Sequence, residues 1–209
     1  MNNVHEIINR INQDFTAKSE IRDRTLKRSR ELIRYCANSI RATHRDDDEE
    51  ATELLQSAQS IAAEMVAEAR QLPDIYYAGY TQDALKEYSE AHLTRALILG
   101  QALPTPQDLD VEDAAYINGL AETVGELRRY ALDALRRGKV ATSEKMLDMM
   151  DEIYTGLLTV DFPSAITRGL RRNTDIARSI LERTRGDVTT AVRQEEMKQA
   201  LEAFEQRVM

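Results

Sequence analysis

The chain has 209 residues, of which 42% are hydrophobic and 31% charged, with a formal net charge of −8. Its 8 glycines, 4 prolines and lack of tryptophan are typical of a largely helical protein with one substantial core. The single cysteine excludes an internal disulfide, no apolar run reaches the roughly 18 residues of a membrane span, and the N-terminus lacks signal-peptide features, so we expect a cytoplasmic protein without a membrane partner.

Charge is unevenly distributed along the chain. Residues 1–45 carry a net charge of +5, residues 46–126 a net −15 and residues 127–209 a net +2. A basic first segment can bind a polyanion, and an acidic centre can bind cations. Charge alone nevertheless favours a simpler interpretation, in which these groups keep polar helix faces soluble.

Apolar residues at helical spacing predict a long first helix from Asn2 to Thr43, beginning with Val4, Ile8, Ile11 and Phe15. At 100° per residue, five basic residues share a sector of about 60° beside this apolar face. They are Lys27, Arg30, Arg34, Arg41 and Arg45. Such a ridge can follow a phosphate backbone, although a solvated edge or ion pairs with a neighbouring helix are more common.

Caps, prolines and glycines divide the remaining chain into further helices. The acidic run Asp46–Glu50 is typical of a first helical turn, Asp108 or Asp110 caps the fourth helix, and Gly186 ends the sixth. The second helix is predicted to follow a turn within Asp46–Glu50 and to stop before Pro73. The later helices are predicted to span approximately Pro73–Leu99, Asp108 or Asp110–Arg137, Ala141–Leu158, Asp161–Arg185 and Asp187–Phe204. With no strand-like alternation or long linker, residues 1–209 are predicted to form one all-α domain of about seven helices.

Motifs for nucleotide binding, serine hydrolysis and zinc are absent. No Walker A loop, GxGxxG or GxSxG occurs. One cysteine and three dispersed histidines do not form a zinc motif. Cys36 falls on the apolar side of the first helix, which favours a buried structural residue over a nucleophile.

Two pairs of glutamates are the strongest candidates for chemistry. Glu87 and Glu90 are spaced i, i+3, and Glu122 and Glu126 are spaced i, i+4. Each spacing places both carboxylates on one helix face, about 5–6 Å apart at Cβ. Two such pairs on facing helices could hold Mg²⁺ or Mn²⁺, which prefer oxygen ligands.

Helical periodicity predicts different environments for the two pairs of glutamates. Leu93 and Leu97 continue the side of Glu90, which places that glutamate at an interface. Glu122 and Glu126 lie opposite the apolar stripe of their helix, so periodicity alone predicts surface positions and argues against a buried site.

The segments that carry these glutamates resemble the translin family, and within it the translin-associated factor X (Trax) branch. LKEYSEA (Leu85–Ala91) is similar to the Trax element with an E-Y-x-E core. LDVEDAAYINGLAETVGELRR (Leu109–Arg129) is similar to the family's second acidic region, and weaker similarity spans Ile21–Gly186. In the second segment the chain retains Asp113, Tyr116, Gly119, Glu122, Gly125, Glu126, Leu127 and Arg129.

The resemblance implies a translin-type bundle of seven helices that assembles into a hollow, octamer-like particle. The activity it implies is a Mg²⁺-dependent endoribonuclease for single-stranded RNA, with Glu87, Glu90, Glu122 and Glu126 as metal-binding and catalytic residues facing the interior. Position 122 is Glu where many Trax proteins have Asp. The short connection Gly100–Leu109 indicates a compact, prokaryotic or archaeal homo-oligomer.

Three functions stay open at this stage. In the first, the chain is the endoribonuclease, with Mg²⁺ or Mn²⁺ as cofactor and a ridge of Lys27, Arg30, Arg34 and Arg41, together with Arg129, guiding the RNA. In the second, it is a non-catalytic binder of single-stranded RNA or DNA, like translin. In the third, it is a structural helical subunit whose activity lies in a partner, and a translin-like partner is possible in any of the three.

Overall fold

The computed structural model describes residues 3–208, which form helices and their connections with no strand. The predicted all-α class is confirmed, while the predicted helix start at Asn2 lies outside the described residues. The helices are α1 (Val4–His44), α2 (Asp48–Ala69), α3 (Pro73–Tyr76), α4 (Gly79–Leu99), α5 (Pro106–Leu109), α6 (Asp113–Arg136), α7 (Val140–Leu158), α8 (Ser164–Thr167) and α9 (Leu170–Val208).

Several predicted boundaries are confirmed by their capping geometry. Asp47 caps α2, because its side chain accepts a hydrogen bond of 3.1 Å from the backbone N–H of Glu50. Gly100 follows α4 and Gly138 follows α6, both with positive φ, as expected for glycines that end helices.

The prediction of one helix over Pro73–Leu99 is wrong, because the helix is interrupted between α3 and α4. The Thr81 hydroxyl donates to the carbonyl of Ile75 at 2.7 Å, and the Gln82 amide donates to the carbonyl of Tyr76 at 2.9 Å. Side chains at the start of α4 therefore satisfy the end of α3, which makes a separate short turn stable.

The prediction that Asp108 or Asp110 caps a long fourth helix is also wrong. Asp108 forms a capping box with Thr105 at the start of α5, and Asp110 ends α5 in the left-handed conformation. The long helix α6 begins later, at Asp113.

At the C-terminal end, the predicted stop at Gly186 is wrong, because α9 continues through it to Val208. Leu181 and Val188, on either side of the glycine, are both buried. Packing of such residues outweighs the roughly 1 kcal/mol by which glycine disfavours a helix. The real break lies earlier, at Arg168 and Gly169, which both have positive φ between α8 and α9.

By contacts, the chain forms two compact units, whose boundaries fall within α4, between Pro104 and Thr105, and within α6. The first unit contains the chain up to His92 together with Thr105–Tyr116. In this unit α1 packs along α2, and the Ser39 hydroxyl donates to the carbonyl of Ala51 at 3.0 Å. Its core includes Leu32, Cys36, Leu55, Met65, Leu85 and Tyr88.

The second unit contains Leu93–Pro104 and the chain from Ile117 onward. Here α7 packs against α9. The Ser143 hydroxyl of α7 donates to the carbonyl of Ala131 in α6 at 2.8 Å. Its core includes Val124, Leu127, Met146, Met150, Leu170 and Leu181.

Both terminal helices carry apolar residues that are exposed. The predicted stripe at the start of α1, including Val4 and Phe15, is 43–66% exposed, so it does not contribute to either core. On α9, Met197, Leu201 and Phe204 are similarly exposed and repeat at helical spacing. No helix within residues 3–208 is both long and apolar enough to span a membrane.

Because Gly186 lies in the middle of α9, with no atom within 4 Å of the position that an added Cβ would occupy, we expect Gly186→Ala to stabilise the protein by about 0.5–1 kcal/mol. Gly138→Ala is the matched comparison. It places a side chain at φ +70°, where it should cost about 1–2 kcal/mol. Urea unfolding followed by circular dichroism measures both changes. A destabilised Gly186→Ala variant would contradict the continuity of α9.

Candidate functional site

The first glutamate pair lies on α4 and is shielded from solvent. Glu90 is only 8% exposed, and Glu87 is 30% exposed. The predicted interface position of Glu90 agrees with this burial, and Leu93 and Leu97 are buried too. The Lys86 ammonium lies 3.2 Å from Glu87 Oε1, so one cation already offsets part of the negative charge.

The second pair lies on α6 and is also partly shielded. Glu122 and Glu126 are both half-buried, so the prediction of surface positions from periodicity is wrong. The apolar periodicity of α6 does not predict contacts made by other helices. One such contact comes from α9, where the Asn173 amide donates to Glu122 Oε1 at 3.3 Å.

Carboxylate oxygens from three of the four glutamates lie close together. One oxygen each of Glu87, Glu90 and Glu122 lies within 4.8 Å of the others. Glu126, one helical turn after Glu122, is not a member of this group. The donor set consists of hard oxygen atoms, which suits Mg²⁺ or Mn²⁺ and does not suit a thiophilic metal.

Cys36 belongs to the first unit, as do Glu87 and Glu90, and it is fully buried. Burial raises the pKa of its thiol well above the usual range, and the negative charges of Glu87 and Glu90 raise the pKa further. The thiol therefore stays protonated at neutral pH, in agreement with its prediction as a structural residue.

The predicted RNA-binding residues are exposed. Lys27, Arg30, Arg34 and Arg41 lie on α1, and Arg129 lies on α6. Arg34 lies 3.6 Å from Glu31 and Arg41 donates to Asn38, while no ion pair with any described residue engages Lys27, Arg30 or Arg129.

Neighbouring basic residues of α1 have a different role. Arg24 and Arg28 both bind Glu68 of α2, and Arg28 also lies 3.3 Å from Glu64. These pairs join two helices of the first unit. Arg24 and Arg28 lie outside the predicted ridge. Within the ridge, the predicted alternative of an ion pair with a neighbouring helix is found at Arg45, which binds Glu50 of α2.

Sequence reasoning missed the polar partners of the glutamates. Lys86 had a visible signal, since it directly precedes Glu87. Asn118 and Asn173 had none, because 55 residues separate the two amides in the chain.

We expect Cys36 to resist thiol reagents in the folded protein at pH 8 and to react fully in denaturant, because its thiol is buried and protonated. The raised pKa also means that the folded state retains a proton that the unfolded thiol releases above about pH 8.5. The free energy of unfolding should therefore fall as pH rises past that value, and fall less in Cys36→Ala. Rapid labelling of the native protein would contradict this expectation.

No family model matches the chain. It is 31% identical over 193 residues to an uncharacterized protein of Methanocaldococcus jannaschii, covering 88% of this chain and 82% of that protein. Among solved structures, it is similar to AfC3PO bound to duplex RNA, with 36% identity, coverage of 90% of this chain and 95% of that one, and a TM-score of 0.78.

Two further structures show the same fold. Crystalline AfC3PO gives 35% identity, coverage of 90% and 96% of the two chains and a TM-score of 0.79. Apo-NeC3PO gives 20% identity, coverage of 88% and 96% and a TM-score of 0.81, and this similarity concerns the fold alone. These similarities to translin/Trax components of C3PO confirm the predicted resemblance at the level of the family, and the chain belongs to the translin family.

Proposed function

We propose that the chain is the subunit of a homo-oligomeric, metal-dependent endoribonuclease that cleaves single-stranded RNA. The observation that carries this proposal is the group of three carboxylate oxygens from Glu87, Glu90 and Glu122. Glu126 of α6 is the fourth carboxylate of the proposed set. The four carboxylates would bind one or two Mg²⁺ ions, or Mn²⁺ in their place. The four glutamates support our proposal that the chain is of the Trax type and that its particle is octamer-like.

The electrostatics of the group fit a divalent cation. Three carboxylates at this separation repel one another, and Glu90 is too buried for water to screen its charge well. Lys86 supplies a single positive charge beside Glu87. A divalent cation with oxygen ligands lowers the repulsion between the carboxylates further, which supports binding at this position.

When bound, Mg²⁺ would supply a nucleophile from water and neutralise charge on the scissile phosphate. The chain itself contributes the alignment of the ligands. Glu87 and Glu90 are held one turn apart by α4, and Glu122 is held by α6 and by the Asn173 amide. The Lys86 ammonium is close enough to Glu87 to orient that carboxylate.

RNA as the ligand is supported by similarity to AfC3PO, which was solved with duplex RNA. The exposed cations of α1 and Arg129 of α6 provide positive charge for phosphates. Only 5% of the residues are aromatic, and there is no tryptophan for base stacking, so we expect little sequence specificity.

The second candidate is an RNA-binding oligomer without catalysis, with or without a translin-like partner. One observation that favours it is that the similar structure of AfC3PO contains RNA. Another is that the exposed cations of α1 form no described ion pair with the four glutamates of the candidate metal site. In this function, binding does not require Mg²⁺.

We expect the purified protein to cleave single-stranded RNA with Mg²⁺ or Mn²⁺ and not with EDTA. Glu90→Gln and Glu122→Gln each remove a negative ligand with little change of shape, and should lower the rate at least about a hundredfold, since even partners of metal ligands contribute tenfold to a hundredfold. Glu53→Gln, at an exposed position of α2, is the control with the same chemical change. Product formation is followed on gels for single-stranded and duplex substrates.

If every sample binds RNA and none cleaves it, the metal-site proposal fails and the non-catalytic candidate stands. Preferential cleavage of duplex RNA would retain the metal site and overturn the choice of substrate.

For the basic ridge, we expect Lys27→Ala combined with Arg30→Ala to weaken RNA binding and to flatten its salt dependence. Each phosphate contact to a single strand contributes about 0.7 to the slope of log K against log salt, so losing two contacts should reduce the slope by about 1.4. Binding is measured over a range of KCl concentrations in EDTA, which prevents metal-dependent cleavage.

Arg24→Ala is the matched control, because Arg24 lies on the same helix but is paired with Glu68 at 2.8 Å. An unchanged slope in the double variant would remove these two residues from the RNA interface.

A further inference from the structure

A chain of side-chain amides leads from the backbone of α8 to Glu122. The Asn118 amide nitrogen donates to the carbonyl of Thr167 at 2.8 Å. The Asn173 amide nitrogen donates to Asn118 Oδ1 at 3.0 Å and to Glu122 Oε1 at 3.3 Å. Three elements of the second unit, α6, α8 and α9, are thereby joined at one metal-binding candidate.

The groups at the two ends determine the orientation of both amides. A backbone carbonyl can only accept a hydrogen bond, so Asn118 must direct its NH₂ group to Thr167 and its oxygen to Asn173. Asn173 must then direct its own NH₂ group to Asn118 and Glu122. Glu122 Oε1 consequently receives a hydrogen bond whose direction is fixed by the backbone carbonyl at the other end of the chain of amides.

Burial makes this arrangement costly to disturb. Asn118 is 4% exposed and Asn173 is half-buried. A buried amide without a partner is strongly unfavourable, so neither residue can rotate away without losing a hydrogen bond that water would not fully replace. Asn118 and Glu122 are also one helical turn apart on α6, so the anchored amide and the carboxylate share one helix face.

We infer that Asn173, anchored by Asn118, is a positioning residue that holds the Glu122 carboxylate in the orientation required for a divalent cation. This inference rests on the metal site proposed above. The amide restricts the rotamers of Glu122 before an ion arrives, which reduces the entropy lost on binding. The alternative is that the amides only fasten α6 to α9 and α8.

The test is Mn²⁺ affinity, measured by the electron paramagnetic resonance signal of free Mn²⁺ and not by RNA cleavage. Asn173→Leu has nearly the same size and lacks the donor, so we expect Mn²⁺ to bind about ten to a hundred times more weakly. Asn173→Ala, which is smaller and cannot clash, should show the same loss. Arg172→Leu changes the adjacent exposed residue of α9 and should bind Mn²⁺ like the unmodified protein.

A double-variant cycle separates positioning from general stability. If Asn173 acts through Glu122, Asn173→Leu should cause no further loss of Mn²⁺ affinity in a Glu122→Gln background. An equal loss in that background would show that Asn173 acts through the fold, and would overturn the inference. Unchanged affinity in both Asn173 variants would also overturn it while leaving the metal site intact. If the unmodified protein binds no Mn²⁺, the proposed function fails as well.

Discussion

Repulsion between carboxylates is the constraint on which the candidate site depends. At an effective dielectric constant of about 20, two unit charges 4.8 Å apart repel by roughly 3 kcal/mol. Glu90 experiences this repulsion largely out of contact with water. The ammonium of Lys86 and the amide of Asn173 each relieve one carboxylate. Such an arrangement is stable when the surrounding helices are held firmly, and it favours a ligand of double positive charge.

The basic residues of α1 divide between two roles. Arg24 and Arg28 bind Glu68 and thereby contribute to the packing of α1 on α2. Lys27 and Arg30 are exposed and have no ion pair with described residues. One helix can therefore use positive charge for its own packing and still present positive charge to a polyanion. Residues three or four apart share one side of a helix, so Arg24 and Arg28 lie on one side of α1 while Lys27 and Arg30 lie on another.

Much of the fold could be predicted from local sequence, but the contacts of the site could not. The helical class and the ends of α2, α4 and α7 depend on caps, glycines and periodicity, which act within a few residues. The predicted helix end at Gly186 was wrong because burial of Leu181 and Val188 outweighs the weak preference of glycine against helix interiors. The break before α4 depends on two side chains that reach back to α3.

The glutamates themselves were predictable from their spacing and their resemblance to a family, and the interface position of Glu90 followed from its leucine neighbours. The amides were not. Asn118 and Asn173 belong to different helices, and helical periodicity does not indicate that either residue lies near a glutamate. Contacts of this kind depend on tertiary packing, so only a structure reveals them.

The exposed apolar stripes at the start of α1 and the end of α9 have a thermodynamic consequence. Apolar surface stabilises a helix only when something covers it, and short helical segments are marginal in water by themselves. The order of these two ends is therefore linked by mass action to whatever covers them. If other copies of the chain do so, dilution would reduce helical content together with particle size, so that circular dichroism would report assembly as directly as mass does.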